Sequence, residues 1–457
     1  MTVEAPAAMV PDRALPRPPR WRQPALIARL LTDPRPVLDE LRTAHGPIVG
    51  LGAGPMRLAV VGDPVALREL FGTPVDAFRW GHRFNVLGFV VGRTSLIVSD
   101  GPDWKRRRSA VQSGFSRRRL NGWVGDIVDR TDACIDGLVA RTGGEPAVVD
   151  LYPVGRELVQ GIVVRTLFGE RLAARSGEIA ALFQTAQDYL ESPAYRQVPN
   201  PLPIARRARV RADLAALRAI VDEQIDHLRR EPSDDPLDLL AALLADGSLR
   251  DEEVRDQVIT LLGAGLDTTA ASLAWLLWCV ALAGPGLWER LRAEADDVLA
   301  GDGPFDASHL ARLDLADRCM REATRLHPAG SFAPRMAHVD VSVGGYRIPR
   351  GTLVLWSAHL AGRDPAAWTD PSAFEPDRFL HVRPEQKALA DLAWVPFGRG
   401  ARNCIGFALA QMELTLILAR LAQRLDVAPT TDREPRAVGM VVNRPAGGVP
   451  LRVSRRP

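Results

Sequence analysis

The chain has 457 residues, of which 46% are hydrophobic and 25% charged, a globular composition that excludes disordered, collagen-like and disulfide-scaffold classes. Its formal net charge is only +3, from 58 Lys and Arg against 55 Asp and Glu, which gives no warrant for nucleic-acid binding. Only two of those cations are lysines, Lys105 and Lys387, so no single arginine carries weight by itself. Four cysteines at irregular spacing (Cys134, Cys279, Cys319, Cys404) form neither a disulfide framework nor a CxxC metal pair. That usage fits a reducing, cytosolic compartment.

In chain order, the first segment lacks the basic start, apolar run and small-residue cleavage site of a signal peptide. Its prolines predict a flexible, extended arm over residues 1–20. Residues 47–62 read as a short hairpin broken at Gly54-Pro55. Asp63 then caps a helix with Pro64 at its first position, closed by Gly72. Apolar residues at three- and four-residue spacing predict helices near 124–140, 155–169, 177–190, 204–230, 236–245 and 251–284. In the last of these, Asp267 is the only charge between Gln257 and Gly284. About 20 apolar residues would span a bilayer, but a central carboxylate is costly in lipid, so a buried core helix is expected. Two more helices fill 306–326. Residues 338–357 alternate apolar and polar around Gly344-Gly345, which is strand and turn chemistry. A final long helix covers 405–424, and another hairpin ends the chain. With no repeat and no linker, the expectation is one mainly α domain with a small β region (α+β) over residues 21–457.

The chemistry concentrates in FGRGARNCIG, Phe397 to Gly406. Cys404 ends a glycine- and arginine-rich loop directly before an apolar helix. The positive end of that helix, with Arg399 and Arg402 nearby, would favour the thiolate, the form that ligates iron. Gly398 and Gly400 allow the close backbone approach that a flat macrocycle requires. The plain alternative is a free cysteine packed at a helix start. Phe-x-x-Gly-x-Arg-x-Cys-x-Gly, however, resembles the haem-ligand signature of the cytochrome P-450 (haem-thiolate monooxygenase) superfamily; a soluble bacterial-type member is expected, with Trp104 and Arg402 standing where many such members carry histidine. The resemblance implies that fold, a haem b cofactor, Cys404 as axial ligand of the iron, and Phe397 and Gly406 against the ring.

Other segments resemble the same family in order and spacing, from about residue 45 to 451. Glu322 and Arg325 in REATRLHP stand at i and i+3 on one helix face, which alone is weak evidence. With Arg378 in FEPDRF they match the family's buried Glu-Arg-Arg network. GGYRIPRGTLV (344–354) matches its turn and strand. Ala264-Gly265-Leu266-Asp267-Thr268-Thr269 looks like the segment that crosses the distal side of the haem. Ala264 and Gly265 would there leave room for dioxygen. Thr268 would bond back to a carbonyl one turn earlier and act on bound dioxygen, and Asp267 would feed it protons through water. A partnered buried acid is the plain reading of Asp267. Trp104, Arg108, Arg335 and Arg402 match positions that hold the two haem propionates. The remaining cations of KRRRSAVQSGFSRRR are either a solvated face or a dock for an acidic redox partner.

No histidine pair has metal-ligand spacing, and His327 before Pro328 reads as structural. No glycine-rich flavin or nicotinamide fingerprint follows a strand. Electrons are therefore expected from separate chains, a ferredoxin and its reductase. The resemblance places the substrate pocket around Trp80, Phe84, Phe89, Phe332 and Met440, although any one aromatic could be ordinary core. The leading expectation is a soluble, monomeric, cytosolic monooxygenase that uses dioxygen on a small apolar substrate, with no nucleic-acid or membrane partner. A haem-thiolate oxidase without net oxygen insertion is the alternative. A haem binder or gas sensor without turnover is the third, and it has no need of the Asp267-Thr268 pair.

Overall fold

The computed structural model describes residues 13–81, 85–197, 205–233, 235, 237–300, 305–381 and 383–456. Their backbone is mainly helical with a small β part, as expected. The chain gathers into two compact units: residues 1–82, 331–371 and 383–403 in the smaller, the remainder in the larger.

The smaller unit holds a five-stranded sheet in the order Ile48–Leu51, Leu58–Val61, Leu353–Trp356, Ala333–Ala337, Phe78–Arg79. The first two strands are the expected hairpin, with Ile48 opposite Val61 and Leu51 opposite Leu58. Leu353–Trp356 then lies parallel to Leu58–Val61. Successive strand residues face opposite sides. Val49, Leu51 and Val60 pack with Leu26, Leu30, Val37 and Leu38 of helices Gln23–Leu30 and Pro34–His45. Ile48, Ala59 and Val61 pack on the other face with Leu67, Leu70 and Phe71 of helix Pro64–Gly72. Both faces are buried, which is why LAVV runs apolar without alternation. Asp63 caps its helix as expected, accepting the Ala66 N–H at 2.7 Å.

The arm expected to be flexible is held from Arg13 onward. Pro16 accepts the Gly50 N–H at 2.8 Å, and Arg13 accepts that of Arg347 at 2.9 Å. Leu15 is buried in the cluster that contains Ile48. Extended backbone with free carbonyls beside a sheet finds partners there, and one apolar side chain suffices to anchor it.

The larger unit is built on helix Asp251–Leu282, 32 residues long. Its most apolar 18-residue window is 83% buried inside the protein, so the membrane-length stretch serves as core. Three acids, Asp251, Glu252 and Glu253, occupy its first turn, where the helix dipole favours negative charge. Glu253 is buried and accepts from Arg106 at 2.6 Å and Arg107 at 2.8 Å, which hold its carboxyl well below the usual range. Two cations of the basic run therefore fasten this helix. Further along, Trp275 stacks on His327 with ring centroids 3.9 Å apart and planes 4° off parallel. Its indole N–H donates to the Asn443 carbonyl at 3.1 Å. His327 is structural, as read from the sequence. A three-stranded antiparallel sheet, Ala147–Asp150, Pro450–Arg455 and Leu425–Pro429, completes the unit.

One buried acid is unlike the others. Glu413, on helix Phe407–Arg424, is 1% exposed, and nothing hydrogen-bonds either carboxylate oxygen. Burial alone pushes it up from 4.5 to about 8. A carboxyl raised on folding binds its proton more tightly in the native state, so stability falls as pH rises from about 5 to about 8. In urea titrations of the holoprotein across that range, Glu413→Gln should flatten the fall and equal or exceed wild type near pH 8. Parallel profiles would show that Glu413 keeps its charge.

Candidate active site

The larger unit carries the thiol and the distal helix. Cys404 stands three residues before helix Phe407–Arg424, and its side chain is reachable from solvent. Protein nevertheless surrounds it. Burial pushes the thiol up, against the pull of the Gly406 N–H and the Arg108 guanidinium. Arg399 donates to the Asp391 carbonyl at 2.5 Å. A bound iron would take the thiol as its thiolate, because a coordinating thiol gives up its proton. The other cysteines are Cys134, half-buried, and Cys279 and Cys319, both buried. Burial also raises the Cys134 and Cys319 thiols. Among the described residues no group of three or more His, Cys, Asp or Glu could hold a metal, so a single axial ligand is the iron chemistry available.

Helix Asp251–Leu282 loses its burial at one turn: Ala264 is exposed, and Gly263, Gly265 and Thr268 are half-buried. The Thr268 hydroxyl donates to the Ala264 carbonyl at 2.6 Å. Asp267, 3% exposed, points the other way. A Cβ on Gly265 would meet a Val163 methyl at 3.2 Å, and one on Gly263 would strike the Phe183 ring at 2.5 Å, so small residues also suit the packing of this turn. On helix Gly101–Ser113, Trp104 is buried and Arg108, one turn on, is half-buried with its charge near Cys404.

The Glu-Arg-Arg network is complete within this unit. Glu322 and Arg325 are 0% and 1% exposed. Arg325 donates twice to Glu322, at 2.8 Å each, and Arg378 once more at 2.8 Å. The Glu375 N–H adds a fourth donor at 2.9 Å, while Arg325 reaches the Ala373 carbonyl at 2.9 Å. A spacing that reads as a surface pair is a saturated buried cluster.

The smaller unit carries the other half of the loop and Arg335. Gly398 and Gly400 have φ of +67° and +75°, and a Cβ on Gly400 would stand 2.6 Å from the Phe71 carbonyl oxygen. Only glycine fits this loop. Phe397 is half-buried beside Trp394, ring centroids 6.0 Å apart. Arg402 lies over the Trp80 ring at 3.9 Å, and Arg335 is 5.3 Å from the same ring. Trp80 is thus a platform for two guanidinium groups. Arg335 is 5% exposed, its Nε has no hydrogen-bond partner, and burial with no carboxylate nearby lowers it to about 10. A buried cation without a counter-ion is expensive. It calls for an anion from outside the chain, which a haem propionate is.

Of the remaining pocket residues, Phe84 lies outside the described residues. Phe332 packs in the cluster with Leu26 and Val49. Phe89 is spent on packing: Tyr189 stands 5.3 Å from it and Arg207 covers its face at 5.1 Å. Met440 is half-buried in a tight turn, its N–H donating to Glu191 at 2.6 Å. Three residues escaped the sequence reading. The Tyr152 hydroxyl is 3.5 Å from Asp267, and Arg444 is 3.8 Å from the other Asp267 oxygen and 3.6 Å from Glu191. Burial and the Asp267 charge push Tyr152 up to about 12, so it stays a donor. They come from distant parts of the chain, and no spacing announces them.

Within the larger unit, a reachable thiol and a helix opened at one small-residue turn suit a haem-thiolate, oxygen-activating protein. Comparison with known proteins agrees. The family model for cytochrome P450 matches residues 16–450. Putative cytochrome P450 139 of Mycobacterium tuberculosis is 31% identical over 90% of this chain and 95% of its own. Pentalenene oxygenase of Streptomyces avermitilis is 32% identical over 87% and 88%. The crystal structure of cytochrome P450DA heme domain superposes with a TM-score of 0.83 at 26% identity, covering 97% of this chain and 98% of that one. The chain belongs to the cytochrome P450 family, and with it come monooxygenase activity, haem b, dioxygen and separate redox partners.

Two outcomes follow from the site. In the reduced carbon monoxide spectrum, Cys404→Ser should lose the thiolate red shift, while serine at Cys134, Cys279 or Cys319 should leave it in place. Glu322→Ala strands two buried guanidinium groups, a loss of about 3–5 kcal/mol. Urea titration should show it, with little holoprotein recovered.

Proposed function

We propose that this chain oxidises a small apolar substrate of terpenoid type, with electrons from a ferredoxin and its reductase. The observation that carries the reading is the opened turn of helix Asp251–Leu282. There the Thr268 hydroxyl is held on the Ala264 carbonyl beside the buried Asp267. When bound, haem b would supply the iron chemistry of dioxygen reduction and cleavage, with one oxygen atom going to substrate and the other to water. Cys404 would hold that iron, Trp104, Arg108, Arg335 and Arg402 would hold the propionates, and Phe397 and Gly406 would line the ring. Glu322, Arg325 and Arg378 keep the fold on the thiolate side rigid by leaving no charge unpaired. Ala264 leaves the space in which dioxygen fits. Thr268 accepts a proton at Oγ1 as it passes its own onward, and Asp267 renews that proton through water.

The terpenoid class is supported by the kinship with pentalenene oxygenase. Met440 and Phe332 are carried forward as walls of the substrate pocket. Residues 21–457 are read as one catalytic domain, since the family model runs through both units. The burial of the apolar helix and the absence of disulfides support a monomer in the cytosol. Desaturation or ring coupling would use the same groups, and product analysis separates these from hydroxylation. A gas sensor would leave the Asp267-Thr268 pair idle.

With a surrogate ferredoxin and reductase and pentalenene among a panel of terpenoid hydrocarbons, NAD(P)H, peroxide and product are measured together. Thr268→Ala should keep oxygen consumption while peroxide replaces product, by up to about two to four orders of magnitude in product rate. Asp267→Asn should slow oxygen consumption itself. Wild-type turnover and coupling in both variants would remove the proton relay, and a wild type inert on every hydrocarbon would remove the substrate class.

A further inference from the structure

Asp267 belongs to a charged cluster that reaches well beyond its own helix. Arg444 lies on the short strand Arg444–Pro445, which pairs with Ala437–Val438. The chain between them makes a tight turn, with Gly439 at φ +106° and no room for a Cβ, which would sit 2.0 Å from the Val442 carbonyl oxygen. That turn is clamped from outside by Glu191, the residue after helix Ser176–Leu190. Its carboxylate accepts the N–H of Met440 at 2.6 Å, of Val442 at 2.9 Å and of Val441 at 3.4 Å. Burial pushes Glu191 up, against the pull of Arg444 and these three amides.

One guanidinium therefore stands between two carboxylates. Arg444 Nη2 is 3.6 Å from Glu191 and Nη1 is 3.8 Å from Asp267, with side-chain exposures of 21%, 9% and 4% for Arg444, Glu191 and Asp267. Both separations exceed the roughly 2.7–2.9 Å of a committed charge-assisted hydrogen bond. Arg444 is committed to neither carboxylate, and it also donates to the Tyr152 hydroxyl that in turn faces Asp267. Whatever it yields to one it withdraws from the other, and in so buried a place the exchange is weakly screened. Glu191 has three amides in reserve, whereas Asp267 has the Tyr152 hydroxyl at 3.5 Å. Asp267 is the partner whose hold depends on where Arg444 leans.

We propose that Arg444 and Glu191 are positioning residues for Asp267, so that the 439–442 turn and the acid respond to one another through the shared guanidinium. This rests on the reading of Asp267 as the residue that renews the Thr268 proton. A shift of the turn displaces Glu191, Glu191 redirects Arg444, and Arg444 tightens or frees the Asp267 carboxylate. Since Met440 lies in that turn, a molecule resting on it sets the readiness of the proton supply.

The test uses the holoenzyme and two readouts. The first is amide hydrogen exchange at Met440 and Val442, which Asp267 does not touch. Asp267→Asn should release Arg444 wholly to Glu191 and slow exchange there by about two-fold or more, the lower end for residues sharing a partner. Arg444→Gln should speed it, and Arg444→Lys should restore it in part. The second is oxygen consumption without added substrate, driven by the surrogate ferredoxin and reductase. Glu191→Gln, which keeps an oxygen for the amides, should give Arg444 to Asp267 and slow it. Arg444→Gln should free the acid and speed it. A merely structural role would loosen the site the same way in both. Unchanged exchange in Asp267→Asn, or one direction of effect for Glu191→Gln and Arg444→Gln, overturns the proposal. If instead Asp267→Asn leaves oxygen consumption at the wild-type rate, the proton-relay reading itself fails.

Discussion

A helix wrapped in protein along nearly its whole length must be apolar on every side, and this one has to break that rule at one turn. Helix Asp251–Leu282 does so between Gly263 and Thr268, and the surrounding structure follows from that breach. The opened turn needs its flanks fixed, or the helix would close over it. Before it, the buried Glu253 is tied by Arg106 and Arg107. Beyond it, Trp275 is held by the His327 stack and the Asn443 carbonyl. The two glycines bring Phe183 and Val163 against its back. Those anchors let one carbonyl and one hydroxyl face an open space without the helix repacking to cover them.

Buried arginines in this protein fall into two kinds, and the difference is chemical. Arg325 and Arg378 share Glu322, and every hydrogen bond in that cluster is satisfied inside the chain. Arg335 is as deeply buried, yet its surroundings are the faces of Phe71, Phe78 and Trp80. Aromatic faces soften the burial of a cation by about 0.5–2 kcal/mol, well short of what a carboxylate supplies. A protein needing Arg335 only for stability would do better with an apolar side chain there. Its retention makes sense for a ligand that brings its own negative charge.

Local patterns were legible in the sequence; tertiary partnerships were not. The Asp63 cap, the Gly344-Gly345 turn and the loop glycines follow from backbone chemistry within a few residues, and each stands where the sequence placed it. The reachable thiol and the Thr268 bond to Ala264 were legible for the same reason. Other contacts depend on the tertiary packing. The arginines that lie over Trp80 and Phe89 come from elsewhere in the chain, and no local pattern announces them. Spacing alone makes Glu322 and Arg325 an ordinary surface pair, and it was the resemblance of FEPDRF that brought Arg378 to them; the Ala373 carbonyl that closes the network was not legible.

Three acids in the larger unit show what suits a carboxyl to carry protons. Glu322 receives four short donors and is locked, since moving it would leave two guanidinium groups bare. Glu413 receives none and keeps its proton by isolation, with nothing at hand to take it. Asp267 has partners only at a distance, 3.5 Å to Tyr152 and 3.8 Å to Arg444. Such contacts hold charge in place without committing geometry, so turning the side chain forfeits little. It also neighbours a hydroxyl on the one open turn of the helix. A residue that must accept a proton from one side and release it on another cannot be saturated or stranded. Among these three buried acids, Asp267 is the one that is neither.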